Sequence, residues 1–249
     1  VVADPLTWQL RRLPVCASTE LTLARWLEAR ERAARPLPSM QCGLAVVARR
    51  QRFGVGQQGR RWHSPAGGLW LSAAFGWSGH RHPASASLGL AAAVGLAQQL
   101  EALGLPVQIK WPNDLLLGGR KLAGLLPRLR LRGAAIRWAQ VGVGLNGTNR
   151  VPAAAVACGA ISLAEALGCR HHLQARPDRL LARVLAGLDW ARAHADQPEL
   201  VRLAAEARLW RPAAGWPHAG EIWQVLGLHS DGRLRLGRQG QELALARRF

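Results

Sequence analysis

Lysine is scarce in this chain and its placement is the first chemical clue. Among 33 Lys and Arg residues only Lys110 and Lys121 are lysines, and both lie in K-W-P-N-D-L-L-L-G-G-R-K. Elsewhere arginine fills every basic position, a bias that general compositional drift explains as well as selection does. A lysine is a compact point charge on a slender stem, suited to a tight pocket beside a phosphate, where a planar guanidinium does not substitute for it. Between the lysines, Asn113 and Asp114 follow Pro112, and Ala123 with Gly124 leaves room for a ligand against the backbone. A second segment, G-V-G-Q-Q-G-R-R-W-H-S-P from Gly54 to Pro65, offers glycines whose backbone can approach an anion closely. It also carries Arg60, Arg61 and an indole, Trp62, able to stack on a flat ring. A third, V-G-V-G-L-N-G, holds Gly142, Gly144 and Asn146. Taken singly, each segment also reads as an ordinary turn. None is a Walker loop or a dinucleotide-binding G-x-G-x-x-G.

These residues need elements to hold them. A helix is predicted over Ser18–Ala34, capped by Ser18 or Thr19 and ended by Pro36 and Pro38. Strands are predicted at Gly43–Ala48 and Leu69–Phe75, with a glycine-rich charged loop, Arg49–Gly68, between them. A second helix fits Ser85–Leu103, and Val107–Trp111 is a strand that runs into Pro112, setting Asn113 and Asp114 at a strand end. Pro127–Gly144 reads as a hairpin turning at Gly133, with Arg128, Arg130 and Arg132 on one face and Leu129 and Leu131 on the other. From Ala160 to Trp210 the pattern is helical, broken near Pro177 and Pro198. Beyond a Pro-Gly-Trp cluster at Pro212–Gly220 come short strands and tight turns, a unit of roughly 35 residues, too small to stand alone.

Composition sets bounds on function. A chain of 249 residues fits one large domain or a core with a satellite. No apolar run approaches a membrane span and the first residues lack a signal pattern, so a cytoplasmic protein that does not engage a membrane is expected. Cys16, Cys42, Cys158 and Cys169 are scattered without a C-x-x-C and read as buried free thiols. The formal net charge of +18 favours anionic substrates or acidic partners. Dispersed arginines without a zinc finger or RNP-type motif argue against a dedicated nucleic-acid binder, which stays as the rival of another class.

The three segments, in this order, resemble the catalytic domain of biotin–protein ligases. That family's pattern is Ser-Thr-Asn near the start, G-R-G-R-x-G-R-x-W, K-W-P-N-D, R-K-x-A-G and G-x-G-x-N. Here stand Ser18-Thr19-Glu20, Gly54 to Trp62, Lys110 to Asp114, Arg120 to Gly124 and Gly142 to Asn146. The resemblance is strong from about Cys16 to Asn149 and recovers modestly after Gly220. It implies an α+β fold, a mixed sheet with packed helices like class II aminoacyl-tRNA synthetases, over residues 1–211. An SH3-like β-domain is implied over 212–249.

The implied activity is formation of biotinyl-5′-AMP from biotin and ATP with Mg²⁺, then transfer of biotin to a lysine of a biotin carboxyl carrier domain such as that of acetyl-CoA carboxylase. By carry-over, Lys121 is the cation at the biotin carboxylate and α-phosphate. Asp114 orients or deprotonates the incoming lysine and helps hold Mg²⁺, and Asn113 and Arg60 complete the catalytic group. Biotin would meet Ser18, Thr19, Gln51, Gly56, Gln57, Lys121 and Gly124. The nucleotide would meet Gly54, Arg60, Trp62, Asn113, Lys121 and Asn146. No permanently bound cofactor is implied. The space before Cys16 leaves no room for the winged-helix DNA-binding domain of some relatives, and either a monomer or a homodimer is compatible. Three departures stand out: Val55 and Gln57 replace the loop arginines, implying a weaker hold on the adenylate, and Glu20 replaces the Asn. The rivals are a lipoate or octanoyl ligase or transferase of related fold, and a degenerate ligase acting only as a binding module.

Overall fold

The computed structural model describes residues 4–78, 84–133, 135–151 and 159–246. Its frame is a seven-stranded sheet in the order β1-β2-β5-β9-β8-β7-β6. The strands are β1 (Thr7–Leu13), β2 (Cys42–Ala48), β5 (Leu69–Phe75), β6 (Gln108–Lys110), β7 (Asp114–Leu117), β8 (Arg120–Arg132) and β9 (Ala135–Leu145). β1 joins β2 in parallel and every other pairing is antiparallel, so the sheet is mixed. β5, L-W-L-S-A-A-F, is buried along its whole length, as a strand covered on both faces must be.

Alternation along the strands divides the core. Leu44, Val46 and Ala74 pack with Leu23, Trp26 and Leu27 of α1 (Thr19–Arg32) on one face. Ala45, Leu71, Ala73 and Phe75 face the larger core built on α2 (Ala84–Glu101), α4 (Pro177–Ala193) and α5 (Pro198–Glu206). A short helix, α3 (Leu163–His171), precedes α4. Pro177 and Pro198 each begin a helix, where the missing N–H costs nothing. α2 and α4 touch backbone to backbone: a Cβ on Gly95 would stand 2.1 Å from the Gly187 carbonyl oxygen.

Four expectations need correction. The stretch read as a loop over Arg49–Gly68 is a hairpin, β3 (Gln51–Val55) and β4 (Arg61–Ser64), joined by a 3-10 turn at Gln57–Gly59. The hairpin expected to open at Pro127 begins earlier, because R-K-L-A-G is already the start of β8. The arginine-lined face also breaks, because a bulge between Arg130 and Leu131 turns Leu131 outward to 52% exposure. Cys16 and Cys42 are free but half-buried rather than buried, and Cys158 lies outside the described residues.

A four-stranded antiparallel sheet closes the chain: β10 (Trp216–His218), β11 (Glu221–Leu228), β12 (Leu234–Arg238) and β13 (Gln241–Leu245). Trp223, Val225, Leu228, Leu234 and Leu236 share one continuous core with Ile109 and Leu209. Trp111, joined to Pro112 by a cis peptide, donates its indole N–H to the Gly232 carbonyl at 3.0 Å. Lys110 lies over Trp210, 5.4 Å from the ring centroid, and Trp210 meets Trp216 edge-on.

Candidate active site

On the α1 face the sheet is left bare beyond the helix, and there the chain places glycine. Gly124 pairs with Gly144, Leu126 with Gly142 and Ser72 with Gly142 across three adjacent strands. Successive inward positions of β9 therefore carry almost no side chain, and they form the floor of a cavity of about 620 Å³. The N-terminus of α1 makes one wall and the β3–β4 hairpin the roof.

One end of the cavity is a polar network. Ser18 caps α1, its oxygen accepting from the Glu20 amide at 3.2 Å. Gln51 Oε1 accepts from both the amide (2.8 Å) and the hydroxyl (3.0 Å) of Thr19, and Gln51 Nε2 donates to Ser64 Oγ at 2.8 Å. Thr19 Oγ1 also lies 2.9 Å from Ser72 Oγ. Glu20 joins this end: Gln140 Nε2 donates to its Oε1 at 2.8 Å, and Arg128 Nε stands 3.6 Å from the same oxygen.

The other end is ionic. Lys121 Nζ is 2.7 Å from Asp114 Oδ1, with the two side chains 15% and 18% exposed. This partly desolvated pair is screened far less than a surface pair. Lys121 also stands 4.9 Å from the Trp62 ring centroid. The indole rests on the glycine floor, so that a Cβ on Gly144 would come within 2.4 Å of it and one on Gly124 within 2.7 Å. Arg60 reaches the cavity from the hairpin tip, its guanidinium donating to Gln58 Oε1 at 2.8 Å. Asn113 donates its amide to the Leu125 carbonyl and accepts from the Leu125 N–H, which ties the β6–β7 turn to β8. Asn146 donates to the Ile161 carbonyl and accepts from Asn149 Nδ2, both at 3.2 Å.

The sequence-predicted residues are thus largely brought together. Ser18, Thr19, Gln51, Gly56, Gln57, Arg60, Trp62, Asn113, Asp114, Lys121, Gly124 and Asn146 all line the cavity. Gly54 does not. It sits behind the hairpin, where a Cβ would meet the Trp62 carbonyl oxygen at 2.4 Å and Ser64 Oγ at 2.7 Å, so it serves strand approach and not an anion. The room expected against Gly124 is taken by Trp62. Sequence reasoning missed Ser72, Gln140 and Asn149. A lone hydroxyl inside an otherwise apolar strand was the available sign of Ser72, and Asn149 completes a set in which every asparagine of the chain is buried at this site.

Residues 28–146, which carry the floor, the hairpin and the Lys121–Asp114 pair, match the family described as the biotin/lipoate A/B protein ligase family. Among curated relatives, the bifunctional ligase/repressor BirA of Escherichia coli is 39% identical over 132 residues, covering 51% of this chain and 40% of that protein. The biotin–[acetyl-CoA-carboxylase] ligase of Paracoccus denitrificans is 35% identical over 144 residues, covering 55% and 58%. The chain therefore spans about half the length of the curated relatives it matches. The fold extends further than the sequence likeness. A biotin protein ligase from Aquifex aeolicus, solved in complex with biotin and ATP, superposes with a TM-score of 0.71 at 21% identity, over 97% of this chain and 95% of that one. The mixed sheet with packed helices and the antiparallel C-terminal sheet are those of the biotin ligase fold. No helix among the described residues is long and apolar enough to cross a membrane.

Proposed function

We propose that the chain is a biotin–protein ligase, which joins biotin to ATP as biotinyl-5′-AMP and then transfers biotin to a lysine of a biotin carboxyl carrier domain. The observation that carries this is a single cavity with a hydrogen-bonding end at Thr19, Gln51 and Ser72 and a cationic end at Lys121 and Arg60. Biotin has that same polarity, a cyclic urea at one end and a carboxylate at the other. A lipoyl or octanoyl group has no N–H donor at its far end and would leave those buried polar groups facing hydrocarbon, at a cost of about 1–3 kcal/mol each.

In the first half-reaction the biotin carboxylate attacks the α-phosphorus, and pyrophosphate leaves. Both reactants are anions, so a cation must stand between them. Lys121 supplies it, with Arg60 at the phosphates, while Trp62 lifts from the glycine floor to cover the adenylate. Asn113, by fixing the turn to Leu125, positions Asp114. In the second half-reaction the carrier's lysine attacks the acyl carbon and AMP leaves. Lys121 stays on Asp114 Oδ1, and the second carboxylate oxygen takes the proton of the incoming ammonium.

Among the described residues no three His, Cys, Asp or Glu side chains converge on one point. Mg²⁺ is nevertheless compatible with the site, since it commonly takes one or two carboxylates plus phosphate oxygens and water. It would arrive with the triphosphate, whose charge it offsets, and Asp114 is the carboxylate placed to hold it. A cytoplasmic location and a core of residues 1–211 followed by an SH3-like unit over 212–249 belong to the same reading. The test is biotin-dependent ATP–pyrophosphate exchange on the purified chain, followed by transfer of labelled biotin to a carrier domain. Absence of exchange with biotin, alongside exchange with lipoate or octanoate, would overturn it.

A further inference from the structure

Glu20 is the one anion at the polar end of a cavity whose other charged lining residues, apart from Asp114 and the titratable His63, are Arg52, Arg60, Arg61 and Lys121. Its two oxygens have different surroundings. Oε1 is held by Gln140 at 2.8 Å, with Arg128 at 3.6 Å, and Arg130 steadies Gln140 from behind at 3.3 Å. Oε2 is buried and has no partner. It lies against Gly142, 3.5 Å from where a Cβ would stand, and Ser72 Oγ is 3.8 Å from the same point.

An ionised carboxylate only accepts hydrogen bonds, and leaving one oxygen sheltered from water and unpaired is costly. A ligand that brings positive charge to this end of the cavity, which Glu20 lines, offsets that cost. Hydroxyls behave differently, because Ser18, Thr19 and Ser72 can each donate or accept. The hydroxyls therefore tolerate either a carbonyl oxygen or an N–H at the remaining ring position, and Glu20 decides between neutral and cationic rings. A cyclic urea beside the carboxylate is neutral, whereas a cyclic guanidinium is a cation that the carboxylate attracts, the more strongly for being partly shielded from water.

Resting on the biotin reading above, we propose that Glu20 makes this pocket accept a cyclic guanidinium in place of the cyclic urea, so that the chain also activates the guanidine analogue of biotin. The reacting end of the analogue is unchanged. Its carboxylate oxygen forms the new bond to the α-phosphorus, the bond from that phosphorus to the bridging oxygen breaks, and pyrophosphate carries the electron pair away.

The test compares ATP–pyrophosphate exchange of the full chain on biotin and on 2-iminobiotin, in the wild type and in Glu20→Gln and Glu20→Asn. The Gln variant keeps the acceptor for Gln140 and removes only the charge. In the wild type, kcat/KM for the analogue is expected within about tenfold of that for biotin. The analogue-to-biotin ratio should fall at least about tenfold in both variants. Exchange with biotin but not with the analogue, or a ratio unmoved by both substitutions, overturns this inference and leaves the biotin reading standing. Exchange with neither compound overturns the biotin reading itself. The wild-type comparison decides even where a variant fails to fold.

Discussion

Lys110 and Lys121, alike in type and close in sequence, end up in unlike settings. Lys121 is fixed by Asp114 at 2.7 Å and covered by Trp62, whereas Lys110 lies on Trp210 beside the C-terminal sheet. Lys121→Arg should keep the fold and lower biotin-dependent exchange about 100-fold, because a planar fork does not fit between the indole and the carboxylate. Lys110→Met should leave exchange intact and lower unfolding stability by about 1 kcal/mol in urea melts, the size of a lost cation–π contact. Away from the site, Asp189 accepts from the Leu6 amide at 3.2 Å and anchors the start of the chain to α4. Burial pushes its carboxyl above the ordinary 3.8, against the opposing pull of that amide and of Arg192. A raised folded-state pKa means a contribution that is complete below 3.8 and is lost as pH rises through the folded value. Asp189→Asn should therefore gain in melting temperature relative to the wild type as pH rises from about 4 to about 7. An unchanged difference would refute the assignment.

Among the elements, the hairpin over the site is only lightly protected. Phe53 is 59% exposed and Val55 38%, and two-stranded hairpins are marginal without further support. Restoring charge with Val55→Arg and Gln57→Arg together should slow the release of labelled biotinyl-AMP about tenfold, the effect of one added phosphate contact or two. The hairpin was also the element least legible in the sequence. A strand covered on one face alternates apolar and polar, but Arg52 and Phe53 are both exposed and glycines interrupt the run, so the segment read as a loop. Strand β5 was readable to the residue because burial on both faces leaves an unbroken apolar run. The site's ends were legible because K-W-P-N-D and R-K-L-A-G are local. Its polar network was not: Ser72 meets Thr19, and Gln140 meets Glu20, only through sheet pairings between residues far apart in the chain. The α2–α4 contact was equally hidden, since a glycine inside a helix announces no partner. Gly95→Ala should cost at least about 2 kcal/mol in denaturant melts, because its methyl would run into backbone that cannot repack.

At the scale of the molecule, the net charge of +18 is spread and not focused. Several arginines are held at the surface by partners of their own: Arg137 by Glu31, Arg208 by Glu101, Arg202 by Glu199 and Glu206, Arg11 and Arg30 by Trp26. What is left is a diffuse positive field, better suited to drawing in an acidic partner than to tracking a phosphate backbone. Transfer to an acidic carrier should slow about tenfold between roughly 50 and 500 mM salt, while pyrophosphate exchange changes far less. Equal salt dependence of the two steps would count against electrostatic recruitment.

The Lys121–Asp114 pair carries one more consequence. An acyl-adenylate modifies amines, and on the proposed reading the group beside it in the cavity is itself an amine. Nucleophilic attack needs the nitrogen aimed at the acyl carbon, and Asp114 Oδ1, 2.7 Å away, holds Nζ turned toward itself. On the proposed reading Asp114 thus keeps the protein from modifying itself, and Asp114→Asn should let biotin accumulate on Lys121, visible as a modified peptide in mass spectra.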